Sequence, residues 1–351
     1  MLWIAPANQP YIDDGPLSTT DFLSCAWKAF NERGATQYAL LPPSSSCSAF
    51  ANASISSGTF QPDALLEPNA PDGTALPLMI EVAERISCDF DVVINLGHDV
   101  LPHKWMMSTS AKVFSIPNLC HQGRPTDQVI KAAVSSMPGR FLWSSRYQMA
   151  SFGVGKGVVA FQPFDLRIFP EHDGEIGDYL LFAGHLIPEK GLLHAARVAQ
   201  KLGKRLLVCG GNSESDYIKE CLKINPDIEF LGQVSRTVLF GLMAGAIALL
   251  QFQETPEAFG RVTAEALLCG CPVIFRDAGA TYELVSQKDG DGIEVDMAMM
   301  PLQRIEAYLS SPIDRAAIQT RAMERFSPSV WANKLTQMIL HDQDISPAVA
   351  A

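Results

Sequence analysis

The sequence predicts an α/β protein built from two doubly wound, parallel-sheet domains, and three observations carry that expectation. Short apolar runs of strand length alternate with helix-forming segments, most clearly over residues 179–211 and 246–275, as βαβ units require. The chain has 351 residues, too many for one ordinary core and suited to two domains of about 150 residues each. Its hydrophobic content is 47%, enough to supply parallel sheets that are buried on both faces.

In the amino-terminal half, residues 2–5 (LWIA) read as a short strand. The loop IDDGPLSTT follows, and then a helix over 20–33 with apolar residues at Phe22, Leu23, Ala26, Trp27 and Phe30, the spacing of one buried face. Gly15 in that loop suits either a close main-chain approach to a ligand or an ordinary turn. Residues 44–57 are small and polar and read as a mobile surface loop. Residues 91–95 (DVVIN) read as a central strand and 112–116 (KVFSI) as the next. The run EHDGEIGD, beginning at Glu171, is polar and contains glycine, as an interdomain linker should. That places a boundary near residue 171. At the far end, residues 328–339 have helical spacing at Val330, Leu335 and Ile339.

The carboxyl-terminal half is more explicit. Residues 179–183 form a predicted strand, 184–191 a loop, 192–202 a helix and 205–209 a second strand. Residues 246–252 (AIALLQF) form a further strand, 260–268 a helix that meets a stop at Gly270, and 271–275 another strand. In open parallel sheets ligands bind beyond the carboxyl ends of the strands, which puts the loop 255–260 at the binding edge. Gly260 lets the main chain approach a ligand, and the amides of Gly260, Arg261 and Val262 at the helix start would face an anion such as a diphosphate. Glu257 precedes this helix and Glu265 lies in its second turn. Carboxylates only accept hydrogen bonds, so a pair of them beside an anion-binding helix end suits sugar hydroxyls better than phosphate alone. The plainer alternative is a solvent-facing Glu265 and a Glu257 that serves as an N-terminal helix charge. Lys190, by composition, is an ordinary surface lysine.

The pieces AGHLIPEKG, LLVCGG, IEFLGQVSRTVLFGLMAGAIALL, PEAFGRVTAEALLCGCPVI and AGATYELV resemble, in that order, the motifs of the retaining nucleotide-sugar glycosyltransferases of family 4. The resemblance covers about residues 179–285. It implies the GT-B fold: two Rossmann-like domains facing across a cleft, with a terminal helix that crosses back to the first. Residues 1–170, with a helix over about 328–345, would form the acceptor-binding domain, and 171–327 the nucleotide-sugar domain. The segment FQPFDLRIFP at 161–170 resembles the family's interdomain connector, and Trp331 would anchor the returning helix. The resemblance further implies that Glu265 binds the ribose hydroxyls and Glu257 the donor sugar, while Lys190 pairs with the diphosphate. The amides from Ala258 and Phe259 through Gly260, Arg261 and Val262 would hold the distal phosphate and sugar. His185 stands where the family usually has arginine, so the phosphate clamp lacks a fixed charge. Arg261 is placed to compensate, and His185 can equally be structural. Gly15 is a single glycine where the family has two adjacent ones. Where the family often has a histidine that faces the reacting carbon, the natural register here puts Asn118, with His121 three residues on; His121 or His98 is the candidate histidine, each with an ordinary structural role as its alternative, and Asn118 can donate to a sugar hydroxyl.

Several classes are excluded or disfavoured. The net charge is −11 and neither half is basic, which argues against nucleic acid and against docking on anionic lipid. The eight cysteines show no C-x-x-C spacing, no segment has the apolar length of a membrane span, and the start lacks a leader pattern, so a cytoplasmic location is expected. Asp89-Phe-Asp91 has the spacing of a metal-binding D-x-D but opens a strand, Asp289-Gly-Asp291 reads as a turn, and no G-x-G-x-x-G follows a strand. The expectation is a metal-independent hexosyltransferase without a cofactor. It would take a nucleoside-diphosphate sugar, UDP-linked as in most relatives, and a small soluble acceptor. A sugar-nucleotide epimerase or hydrolase, and a non-catalytic binding protein, are the alternatives.

Overall fold

A computed structural model describes residues 1–6, 18–41, 58–60, 75–171, 175–211, 215–299 and 302–344. Gly15 and the loop 44–57 lie outside the described residues. The chain forms two compact units: Met1–Asp165 together with Phe326–Ala351, and Leu166–Arg325. The sequence boundaries fell at 170/171 and 327/328. Residues 166–170 pack with the second unit, where Phe169 sits 4.6 Å from the Phe240 ring and the Pro170 carbonyl accepts a hydrogen bond from Gln319 at 2.7 Å.

The first unit carries five parallel strands, β1 (Leu2–Ile4), β2 (Tyr38–Leu40), β3 (Gly58–Phe60), β4 (Val93–Asn95) and β5 (Val113–Ser115), in the order β3-β2-β1-β4-β5. A separate parallel pair, β6 (Leu142–Trp143) and β7 (Val158–Val159), lies beside it in sequence. Five helices connect the strands: α1 (Ser18–Asn31), α2 (Ala75–Ile86), α3 (Val100–Ser108), α4 (Pro125–Ser136) and α5 (Arg146–Ser151). Successive side chains of a strand point to opposite faces, and the apolar strands therefore feed two cores. Trp3, Ile94 and Phe114 join Phe22, Trp27 and Phe30 of α1 in one. Leu2, Ile4, Val93 and Val113 join Met79, Trp105 and Ile130 in the other.

The carboxyl-terminal helix of the chain, Pro328–Asp344, belongs to this first unit. Its Trp331 is 1% exposed, edge-on to Phe22 at 5.2 Å and stacked on Trp3 at 6.5 Å. Buried on that face, the helix completes a core that α1 alone leaves open.

The second unit has six parallel strands: β8 (Tyr179–Ala183), β9 (Arg205–Cys209), β10 (Ile228–Gly232), β11 (Leu249–Gln251), β12 (Val273–Phe275) and β13 (Gly292–Glu294). Their order is β10-β9-β8-β11-β12-β13. Helices α6 (Leu192–Leu202), α7 (Ser215–Ile224), α8 (Arg236–Gly245), α9 (Arg261–Leu268), α10 (Thr281–Leu284), α11 (Leu302–Leu309) and α12 (Arg315–Arg325) cover both faces, and Pro328–Asp344 is α13. β11 is shorter than the apolar run 246–252 from which it is read. Arg315 explains part of this, because its buried guanidinium donates to the carbonyls of Ala246 and Ile247 at 2.6 and 2.8 Å and takes them away from the ladder.

Candidate functional site

In the second unit the strand order reverses between β8 and β11, which places the topological switch point there. Ligands of such sheets bind at the carboxyl ends of the strands beside that point. The loop after β8 and the loop after β11 meet there through two backbone devices. Gly191 takes a left-handed φ of 78°, and a Cβ on it would lie 2.0 Å from the Phe252 carbonyl oxygen, so only glycine fits. The Glu254 amide donates to the Glu189 carbonyl at 2.7 Å. Together they pin the single turn Pro188–Lys190 against the exit of β11.

Lys190 is thereby delivered to Glu257. Its ammonium donates to a carboxylate oxygen of Glu257 in a short, direct contact, with the two side chains 27% and 20% exposed. Glu257 is also held by its main chain. It forms a parallel bridge with Gly279 and accepts from the Ala280 amide at 3.0 Å, and a Cβ on Gly279 would stand 2.4 Å from the Glu257 carbonyl oxygen.

Helix α9 starts directly behind this carboxylate. Gly260 is its left-handed N-cap (φ 95°), and a Cβ there would come within 3.3 Å of the second Glu257 oxygen. The amides of Arg261 and Val262 occupy the first turn, where no carbonyl of the helix can reach them. Ala258 and Phe259 are buried just before it. Glu265 lies one turn further on, its side chain 9% exposed, with Arg261 and Arg236 each 3.9 Å from one carboxylate oxygen. Its burial removes the solvent-facing alternative. Arg261 thus lies beside Glu265, and His185 is exposed in the loop after β8.

Arg236 carries no assignment from the sequence, although it stands in one of the resembling segments. Ser235 caps its helix by accepting from the Val238 amide at 3.4 Å, and the S-x-x start of α8 was the available signal. Three buried polar side chains nearby were also missed. They are Gln251, Gln253 and Thr263, whose side-chain oxygens have no hydrogen-bond partner among the described residues.

In the first unit, the candidates cluster around Phe152. The His121 ring stands edge-on to it at 5.4 Å and its amide donates to Ser151 Oγ at 3.0 Å. His98 packs on the same ring at 6.2 Å, with Nε2 3.0 Å from Asp127 Oδ1 and Nδ1 buried without a partner among the described residues. Asn118 Oδ1 is likewise buried and unpaired. Burial lowers the His98 pKa, and the hydrogen bond to Asp127 opposes that shift. Burial would raise the Asp127 carboxyl, but hydrogen bonds from Arg124, the Gln122 amide and His98 outweigh it and hold the group well below the usual carboxylate range. Asp127 was legible only as part of a helix start, since Pro125 and Asp127 occupy its first turn.

His103 behaves as a structural histidine. It spans the Asp99 carbonyl at 2.7 Å and Ser115 Oγ at 2.9 Å, and Asn95 donates to the same Ser115 oxygen at 3.2 Å. Asp89 and Asp91 precede β4, at the opposite edge of the sheet from its carboxyl end. Asp291 is paired with Arg321, and Asp289 accepts from Ser286 Oγ at 2.6 Å, which makes this segment a tied turn. Among the described residues, no group of three or more His, Cys, Asp and Glu side chains is placed to hold a metal ion, and no helix is long and apolar enough to cross a membrane.

Residues 169–325 match the family described as glycosyl transferases group 1. That match spans nearly all of the second unit, and the chain as a whole has the GT-B fold. An uncharacterized glycosyltransferase of Methanocaldococcus jannaschii is 28% identical over 116 residues, a match that spans 31% of this chain and 30% of that protein. Among solved structures, AviGT4, a glycosyltransferase involved in avilamycin A biosynthesis, superposes with a TM-score of 0.73 at 18% identity over 98% of both chains. Alr3699/HepE of Anabaena, solved in complex with UDP, superposes with a TM-score of 0.71 at 16% identity over 97% of this chain and 99% of that one.

Proposed function

We propose that this protein is a retaining, metal-independent glycosyltransferase of family 4 that moves a sugar from a UDP-sugar to a hydroxyl of a small soluble acceptor. The observation that supports this best is the Lys190–Glu257 pair set against the open amino end of α9, with Glu265 buried one turn behind. One edge of the sheet thus offers a cation and main-chain amides for a diphosphate, and two carboxylates for hydroxyls. Alr3699/HepE has been solved with UDP and with UDP-glucose, which favours the uridine nucleotide among the possible donors.

In the proposed reaction, the bond between the anomeric carbon and the diphosphate oxygen breaks while the acceptor oxygen forms its bond on the same face. Negative charge grows on the departing diphosphate. Lys190, Arg261 and the amides of Gly260 to Val262 stabilise it there, where oriented donors are already in place before the reaction. The acceptor proton passes to an oxygen of the leaving diphosphate, so no enzyme nucleophile is needed and the two-carboxylate scheme of glycoside hydrolases does not apply. Glu257 orients the sugar through its hydroxyls and Glu265 holds the ribose. His185 is assigned to the phosphate side of the donor. His121, in the first unit, is assigned a polar contact to substrate.

The test is incubation with UDP- and GDP-sugars, with and without a cell extract as the source of acceptor, followed by measurement of free nucleotide. Nucleotide release that requires extract is the expected result. Release without extract identifies an epimerase or hydrolase, and binding without release identifies a non-catalytic protein; either overturns the transferase. The anomeric configuration of the isolated product tests retention, and an unchanged rate in excess EDTA tests metal independence.

A further inference from the structure

Gln253 lies two residues beyond β11 and is fully enclosed. Its neighbour Phe252 sits in the apolar core of the unit, and a hydrophobic residue at 253 would continue that pattern. A glutamine instead brings two N–H donors and an acceptor into the interior. Nε2 donates to Thr281 Oγ1 at 2.7 Å and reaches the Ala278 carbonyl at 3.4 Å. Thr281, also fully buried, is the first residue of α10. Among the described residues the Gln253 carbonyl oxygen has no hydrogen-bond partner. An unpaired buried polar atom is destabilising, and a half-satisfied amide is a worse core residue than an apolar one of the same size. Stability alone does not account for this residue.

Its two partners bracket a stretch of main chain that holds Glu257. Between Ala278 and Thr281 lie Gly279, which bridges to Glu257, and Ala280, whose amide donates to the Glu257 carbonyl at 3.0 Å. The left-handed φ of 82° at Gly279 and its close approach to Glu257 leave that turn a single workable position. We infer that Gln253 is a positioning residue, which clamps the turn 278–281 and thereby sets the Glu257 carboxylate against Lys190 and the donor sugar. The role rests on the glycosyltransferase assignment above. Nothing in the local sequence marks it, since Gln253 and Thr281 are 28 residues apart and act only through a third residue.

The experiment uses the full chain and UDP-, GDP-, ADP- and dTDP-glucose, with cell extract as the acceptor source, and follows the conjugate that the wild type turns over fastest. Gln253→Met keeps the volume and removes both donors. It is expected to lower turnover at saturating donor by about 10- to 100-fold, as small misplacements of a reacting geometry do. Donor KM and affinity for the free nucleoside diphosphate should stay within about threefold, because Glu265 and the α9 amides are untouched. Thr281→Val removes the acceptor with little change of shape and should show the same split, so poor folding of one variant leaves the other to decide. Combined with Glu257→Gln, neither substitution should add more than about a twofold further loss, since residues acting as one unit are not additive. Near-wild-type turnover in Gln253→Met and Thr281→Val overturns the positioning role, as does an equal loss with and without Glu257. Wild-type protein that binds and turns over none of the conjugates defeats the transferase assignment first, and the positioning role with it.

Discussion

At the scale of single residues, Glu257 and Glu265 are eight positions apart in sequence and play different parts in space. Glu257 is half-buried against Lys190, whereas Glu265 is enclosed between two arginines. Glu257→Gln should cut turnover by about 100-fold while nucleotide affinity changes little, because the interaction lost is one that grows in the transition state. Glu265→Ala should chiefly weaken donor binding, by about 1–3 kcal/mol, the range for hydrogen bonds to a charged group. Steady-state kinetics with calorimetry on both variants checks this; near-normal activity in both contradicts it. His103 makes a second residue-scale case. Burial pushes its pKa down to about 4, against the hydrogen bond to the Asp99 carbonyl, from about 6.5 in an unfolded chain. The folded state therefore favours the neutral ring. Its contribution is complete above pH 6.5 or so and is lost as pH falls toward 4, where the unfolded chain binds the extra proton. The loss is on the order of 3 kcal/mol, and the lowered pKa of His98 adds in the same direction. Asp127 acts in a lower window, since its depressed pKa withholds protonation until well below pH 4. Urea unfolding of wild type and His103→Gln between pH 4 and 7 should show a steep slope that flattens in the variant. Parallel slopes would rule out His103 as the source.

At the scale of elements, glycines decide where the loops can go. Gly279→Ala combines a left-handed φ of 82° with a Cβ 2.4 Å from the Glu257 carbonyl, so it must displace the main chain of Glu257. Gly290 has nearly the same φ, 79°, and open space around its missing Cβ, which makes it the matched control. Both alanine variants should lose about 1–2 kcal/mol from backbone strain, and only Gly279→Ala should lose activity, by more than about tenfold. Equal activity in the two would contradict the role given to the bridge. The sequence showed the strands that are continuous apolar runs: LWI, VIN, VFS, YLLFA, LLVC and VIF all mark observed strands, whereas the central β2, with Tyr38 exposed, was not read. It did not show β10 and β13, which are edge strands. In β10 only Ile228 is fully buried, and β13 is three residues of mixed character. The glycine-capped start of α9 was legible from Gly260 and the flanking glutamates, since backbone demands leave marks in sequence. The clamp by Gln253 and the pairing of His98 with Asp127 were not, because each joins residues 28 or 29 apart through side chains that fit no motif.

At the scale of the whole molecule, each unit has its own sheet and its own cores, and the chain passes from the first to the second and back. The return is anchored by Trp331 among Trp3, Phe22 and Phe30. Trp331→Ala should destabilise the first unit by about 3–5 kcal/mol, the usual cost of emptying a large aromatic site. Below the new melting temperature the nucleotide should bind to the second unit with unchanged affinity. Differential scanning calorimetry alongside UDP titration checks both halves of that statement, and a parallel fall in UDP affinity would contradict the division of labour.

In the proposed function, the second unit holds an activated sugar between Lys190 with the amides at the start of α9 and the carboxylates of Glu257 and Glu265. Isothermal calorimetry with UDP-, GDP-, ADP- and dTDP-sugars tests it directly. Saturable binding of one nucleotide series, most strongly UDP, that Glu265→Ala weakens and that Lys190→Ala weakens as well, is the expected result. No binding by any series, or binding indifferent to both substitutions, would contradict it.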